Sequence, residues 1–266
     1  MSTMKNKGSK YYKSSCCGSL EALDVTDHNI SFPFHFHPTF NITLVQEGIF
    51  QSRLKDRSVT APSGAILITN PQEIHANPCE RDSSVSFFTF YLADDFLQYC
   101  NNGRPLVFDQ KVIYDEFLFD ALQHSSAQLK QDPVHEKNFE TQLGRALQQL
   151  MESYGTAPDK EEDVKLKALF NDFLKEDHLL RFSLQDAAKR FGIDKYKFLR
   201  LFKHQTGLTP GNYFIMRRIE KSKALLAEGQ DLLSIALELD FYDAAHFCKH
   251  FKKFTGVSPL AYALGA

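Results

Sequence analysis

The feature that most constrains this chain is a repeat near its end. Phe198, Arg200, Phe202, Lys203, Thr206, Gly207, Pro210 and Tyr213 recur as Phe247, Lys249, Phe251, Lys252, Thr255, Gly256, Pro259 and Tyr262, every pair offset by 49 residues. Self-similarity at a fixed offset marks one supersecondary unit used twice. Upstream the offset becomes 48, pairing Ala188 with Ala236, so one turn of the second copy is a residue longer.

Each copy reads as two helices joined by a tight turn. Ser183 with Asp186 forms a capping box, Asp194 and Asp231 are N-cap residues, and Thr209-Pro210 and Ser258-Pro259 each set a cap before a proline at the first helical position. The first copy runs from a helix at Ser183 to Arg190, through Phe191-Gly192-Ile193, into a helix starting at Asp194. On that second helix Phe198, Leu201 and Phe202 share the core face, while Tyr196, Leu199, Arg200 and Lys203 lie opposite. In the second copy Phe247, Phe251 and Phe254 turn inward and Ala245, His246, Lys249 and Lys252 form the outer stripe. Gly211 to Ala227 is read as a connecting helix of about 25 Å, a strut for two recognition helices about 34 Å apart, one turn of DNA.

A single amphipathic helix carrying two lysines is more often a solvated surface than a reading head. Duplication of the same basic positions favours DNA. Arginine suits the guanine edge, leucine a thymine methyl and lysine a phosphate. The net charge of −2 argues against a nucleic-acid partner only until it is divided. From Asp163 onward there are 17 Lys and Arg against 12 Asp and Glu, leaving 14 against 21 for the front. The basic back half alone fits DNA.

With 266 residues, 43% of them hydrophobic, the chain is long enough for two cores. No run of about 18 apolar residues occurs, and the first thirteen residues are polar and Lys-rich, so a cytoplasmic protein with no membrane partner is expected. The five cysteines, Cys16, Cys17, Cys79, Cys100 and Cys248, make no CxxC pair and are expected to be ordinary thiols.

From Ser31 to Leu92 short runs rich in β-branched and aromatic residues (Phe40 to Gln46, Ala65 to Thr69, Val85 to Leu92) alternate with Gly48, Pro62, Gly64, Pro71 and Pro78, a pattern of an antiparallel sandwich or barrel. Helical periodicity follows in Tyr114 to Leu129 and Glu136 to Tyr154, where Phe139, Leu143, Leu147 and Leu150 form an apolar stripe. The expected organisation is α+β with two domains: a front domain over 1–154, a linker over 155–163 and an all-α domain of two helix-turn-helix units over 164–266.

The stretch SLQDAAKRFGIDKYKFLRLFKHQTGLTPGNYFIMRRIEKSKALL, followed by SIALELDFYDAAHFCKHFKKFTGVSPLAY, resembles the AraC/XylS family of bacterial transcription regulators from about Phe182 to Tyr262. The resemblance implies base contacts from Tyr196, Leu199, Arg200, Ala245, His246 and Lys249, flanked by Lys203 and Lys252. Asp240 stands where the family usually has glycine, which implies a strained or differently capped second turn. Ala244 and Ala245 replace commonly polar residues and weaken base readout by the second unit.

HFHPTFNITLVQEG and SGAILITNPQEIHANP look like the cupin-type β-barrel that serves such regulators as an effector domain. This resemblance implies a small-molecule effector, with His35, His37, Phe40, His75 and Phe88 as contact residues and Phe34, Phe36, Phe50 and Phe90 as further cavity aromatics. His35 and His75 equally suit hydrogen bonds at the barrel mouth. A metal-dependent cupin enzyme adds a glutamate after the paired histidines; Asn41 and Ile42 occupy that stretch, so neither a metal nor another cofactor is expected, nor catalysis. The family implies RNA polymerase as a protein partner and a homodimer, for which Phe139, Leu143, Leu147 and Leu150 are the candidate surface, packing on the barrel being the equal alternative. A front domain that only dimerises or binds a partner protein is the rival reading, and a metal-dependent cupin enzyme the third.

Overall fold

The computed structural model of the chain describes residues 8–15, 20–80, 83–131, 136–158, 173–174 and 182–265. The chain forms two compact units, one of residues 1–158 with 265–266 and one of 159–264. Of the expected linker, residues 159–163 lie outside the described residues, as do Cys16 and Cys17.

The front unit contains β1 (Gly8–Lys13), β2 (Glu21–His28), β3 (Phe32–His35), β4 (Thr39–Glu47), β5 (Ile49–Arg53), β6 (Ser58–Pro62), β7 (Ile66–Thr69), β8 (His75–Asn77), β9 (Val85–Ala93) and β10 (Val112–Ile113). Its helices are α1 (Asp94–Cys100), α2 (Glu116–Leu129) and α3 (Glu136–Tyr154). The strands form a six-stranded sheet in the order β1-β2-β9-β4-β7-β10 and a four-stranded sheet in the order β3-β8-β5-β6. All pairings are antiparallel. The expected barrel is thus cupin-like in layout, but its two sheets are separate ladders. β1 and β2 precede the stretch in which strands were expected.

Alternation along β4 and β9 decides what each face touches. Ile42 lies opposite Phe90 and Leu44 opposite Phe88. With Phe40 and Leu92 they form one buried cluster with Leu118, Leu122 and Leu129 of α2 and Phe139, Leu143, Leu147 and Leu150 of α3. The opposite face carries Thr43 and Thr89, whose hydroxyls meet at 2.9 Å, together with Asn41, paired with Tyr91. The large sheet is therefore covered by helices on one face and turned toward the small sheet on the other, where Phe50 of β5 meets Phe87 of β9 edge-on at 4.7 Å.

This geometry corrects one expectation and, of two alternatives for the helical stripe, favours packing on the barrel. Phe40 and Phe88 are wholly buried on the helix side of the sheet, so they fill the core beneath α2 and α3 rather than the space between the sheets. Phe139, Leu143, Leu147 and Leu150 are likewise fully buried within a single chain. Their stripe has a nearer partner in its own sheet and is not an open dimer surface.

The back unit is helical among its described residues: α4 (Leu184–Arg190), α5 (Lys195–Thr206), α6 (Pro210–Ala227), α7 (Leu232–Glu238), α8 (Ala244–Thr255) and α9 (Pro259–Leu264). α4 packs on α5 and α7 on α8, while α6 touches α5, α7, α8 and α9. Phe198, Phe202, Phe247 and Phe251 are fully buried.

Leu147→Ala should lower the stability of the front unit by about 2–5 kcal/mol, the usual cost of emptying a leucine site in a packed core. Urea unfolding followed by circular dichroism measures it. An unchanged midpoint with a shift in sedimentation behaviour would return the stripe to an intermolecular role.

Candidate nucleic-acid interface and front-domain cavity

The recognition helices are started by side chains that satisfy the free N–H groups of a helix N-terminus. Asp194 accepts from Tyr196 and Lys197 N–H at 2.9 and 3.0 Å, and Asp243 accepts from His246 N–H. On the supporting helices Ser183 accepts from Asp186 N–H, Thr209 from Asn212, and Asp231 from Leu233 and Ser234. Bonds from Lys197 and Tyr196 N–H, with Arg200 nearby, lower the Asp194 pKa, and the Ser234 hydroxyl and N–H lower that of Asp231. A lowered carboxylate pKa means the cap acts at neutral pH and fades as pH falls through the folded value.

Both recognition helices end alike. Gly207 and Gly256 take left-handed φ values of 69° and 82°. Thr206 donates to the Phe202 carbonyl at 2.8 Å and accepts from Leu208 N–H at 3.2 Å. Thr255 does the same with Phe251 at 2.8 Å and Val257 at 3.4 Å. These buried bonds fix the exit into α6 and α9 identically in both copies.

Between these ends the buried phenylalanines leave one outward stripe per helix. Tyr196, Arg200 and Lys203 are exposed and Leu199 is half-buried on α5. On α8 Ala245, Lys249 and Lys252 are exposed and His246 is half-buried. The two helices thus present cations at equivalent positions, with Lys253 added to the second. His246 is committed locally: its Nδ1 lies 3.4 Å from the Tyr242 N–H and its ring 4.5 Å from that of His250.

The turns differ as the offset implies. Gly192 and Asp240 occupy the same place and share left-handed φ values, 63° and 57°. A side chain there is strained unless something holds it. At Asp240 the guanidinium of Arg218 on α6 donates to the carbonyl at 2.8 Å and to the carboxylate at 2.9 Å. The additional residue is Tyr242, which is 89% exposed beside the recognition helix. Sequence reasoning missed Arg218, Tyr242 and the Asp243 cap; the one-residue slip of the repeat was the signal that pointed to this turn.

In the front unit His35, His37 and His75 come together although 40 residues separate the first from the last. Pairing of β3 with β8 sets His35 opposite His75. Their ring centroids are 4.2 Å apart, with His37 at 4.9 and 5.6 Å from them and Tyr91 at 5.3 Å from His37. All three are buried. Burial, reinforced by His75, pulls the pKa of His35 well below the ordinary imidazole value. Burial also lowers that of His75, against the raising effect of its bond to the Glu73 carbonyl.

Next to this cluster is a cavity of about 290 Å³ whose walls include His28, Phe32, Phe50, Asn77, Cys79 and Val85. Phe32 stacks on His28 at 4.7 Å and stands 6.1 Å from His35, linking cavity and cluster. Of the expected aromatics only Phe50 lines it. His28 and Phe32 carried no spacing signal of their own, and the turns between strands bring them there.

Arg218→Ala should destabilise the back unit by about 1 kcal/mol or more, because the left-handed Asp240 loses two charge-assisted bonds. In that background Asp240→Gly should recover about 1 kcal/mol by relieving the backbone. Thermal unfolding of both variants tests the pair; no recovery in the double variant would contradict the clamp.

Residues 18–174 match the family described as AraC-like ligand binding domain, and residues 187–264 match a helix-turn-helix domain family. The chain is 26% identical over 228 residues, 81% of each protein, to the HTH-type transcriptional regulator YbfI of Bacillus subtilis (strain 168). It is 36% identical over 85 residues, 32% of this chain and 63% of the other, to the HTH-type transcriptional activator AarP of Providencia stuartii. Among solved structures, an apo ToxT variant from Vibrio cholerae strain SCE256 has the same fold over 98% of this chain and 99% of its own, with a TM-score of 0.55 at 13% identity. ToxT with a bound unsaturated fatty acid aligns over 98% of this chain and 97% of its own, with a TM-score of 0.51 at 13% identity. The ligand-binding family spans more than half of the chain and the other family takes in both recognition helices, so the chain belongs to the AraC family of helix-turn-helix transcription regulators.

Proposed function

We propose that α5 and α8 enter successive major-groove segments of one DNA duplex. The observation that carries this reading is the duplicated stripe: two helices with the same capping, the same threonine-bonded exit and cations at the same outward positions. Arg200 reads a guanine edge, Leu199 meets a thymine methyl, Tyr196 flanks them, and Lys203 and Lys252 neutralise phosphates. Ala245 and His246 offer little hydrogen bonding to bases, so the second unit contributes through Lys249 and the backbone. The 18-residue α6, about 27 Å long at 1.5 Å per residue, spaces the two units.

The front unit supplies control by binding a small organic effector in the 290 Å³ cavity, a volume at the lower end of small-molecule sites. The fatty acid held by ToxT on the same fold supports an apolar ligand with one polar end. The protein works in the cytoplasm as a homodimer, recruits RNA polymerase and performs no catalysis. In keeping with this, its relatives are named as transcription regulators and no helix among the described residues is long and apolar enough to cross a membrane.

Arg200→Ala should cost about 1–3 kcal/mol of specific binding and relax base preference at one position, while Lys203→Ala should weaken specific and random duplexes alike and reduce the salt slope by about one unit. Fluorescence anisotropy across a salt series reads both. Equal losses on specific and random DNA from both variants would remove α5 from the groove. A small-molecule effector at 100 times its dissociation constant should stabilise the protein by about 2.7 kcal/mol in thermal-shift measurements; silence across an apolar carboxylate panel would favour a protein partner for the front unit.

A further inference from the structure

We propose that His35, His37 and His75 form a binding site for a divalent transition-metal ion of the zinc class, inside the front unit and beside its cavity. The expectation of no metal rested on the missing carboxylate. The structure adds what the spacing of the residues did not contain: three buried imidazoles, each offering a nitrogen, all within 4.8 Å of one another.

Two of these rings are already oriented. A carbonyl oxygen only accepts, so the contacts of His35 Nδ1 with the Pro33 carbonyl at 2.6 Å and of His75 Nδ1 with the Glu73 carbonyl at 2.9 Å place the proton on Nδ1 in both rings. A backbone carbonyl bonded to the far nitrogen is the usual way a protein fixes the tautomer of a metal-binding histidine.

Three buried imidazoles whose nitrogens approach this closely are the geometry that a cation with nitrogen affinity requires. Imidazole-only ligation selects zinc, cobalt, nickel, copper or iron over magnesium and calcium, which take oxygen. Asn41 lies on this inner face, paired with Tyr91, and its side-chain oxygen accepts from the Thr39 hydroxyl at 3.0 Å. The ligand set is therefore neutral, the bound ion keeps its full charge, and a fourth position is left for water or an anion. The ion ties β3, the β3–β4 connection and β8 together, so its binding stiffens the small sheet.

The site belongs to the front unit and its test is independent of DNA or effector binding. Full-length protein, stripped with a chelator and titrated with Co²⁺, should bind one equivalent with a visible d–d absorption band that Zn²⁺ displaces, and its melting temperature should rise. His75→Asn and His35→Asn retain an amide donor near the Nδ1 position and remove the inward nitrogen. Each should weaken Co²⁺ binding at least tenfold while leaving the circular dichroism spectrum and cooperative unfolding intact. His250→Ala, which breaks the other close histidine pair, should bind cobalt as the parent does. Absence of the band in the parent protein, or its persistence in both Asn variants, overturns the site, as does its loss in His250→Ala alone. Should an Asn variant unfold, the stoichiometry and Zn²⁺ competition of the parent, with His37→Ala, decide the matter.

Discussion

Burial of phenylalanines four residues apart is the constraint on which the DNA-binding half depends. Phe198 and Phe202 on α5, and Phe247 and Phe251 on α8, have no exposed surface. With 3.6 residues per turn, sealing that face in the core leaves a single direction for Arg200 and Lys203, and for Lys249 and Lys252. The basic stripes are outward because the aromatics are inward. Caps at Asp194 and Asp243, and threonine bonds at Thr206 and Thr255, then set where each stripe begins and ends.

The helical half was legible because its signals are local. Ser183, Asp194, Thr209 and Asp231 bond N–H groups two or three residues away, so a cap can be read from neighbours alone. The front half was legible as strands but not as faces. Period-two alternation shows that Phe40, Ile42 and Leu44 share a side; it cannot tell whether that side meets α2 and α3 or the other sheet. That is why Phe40 and Phe88 read as cavity residues, and why the stripe from Phe139 to Leu150 reads equally as a dimer contact or as packing on the barrel, when the two sets pack against each other. The grouping of His35, His37 and His75 follows from the cupin resemblance, and the pairing of β3 with β8 is what sets His35 opposite His75.

The two helix-turn-helix units are unequal in a way the repeat foreshadowed. Glycine at 192 accepts a left-handed backbone at little cost, whereas Asp240 is held there by Arg218 from the connecting helix. The second turn is thereby fastened to α6, and Tyr242 is displayed next to α8. Replacement of a permissive residue by a clamped one makes the second unit's orientation depend on the strut as well as on its own turn.

Neighbouring residues of β9 serve opposite layers. Phe87 meets Phe50 and His28 between the sheets, while Phe88 sits beneath the helices with the ammonium of Lys130, the α2 C-cap, 5.0 Å from its ring. A guest that displaced Phe87 would therefore tug the same short length of backbone that anchors the helical blanket. One peptide bond thus separates the layer between the sheets from the layer beneath the helices.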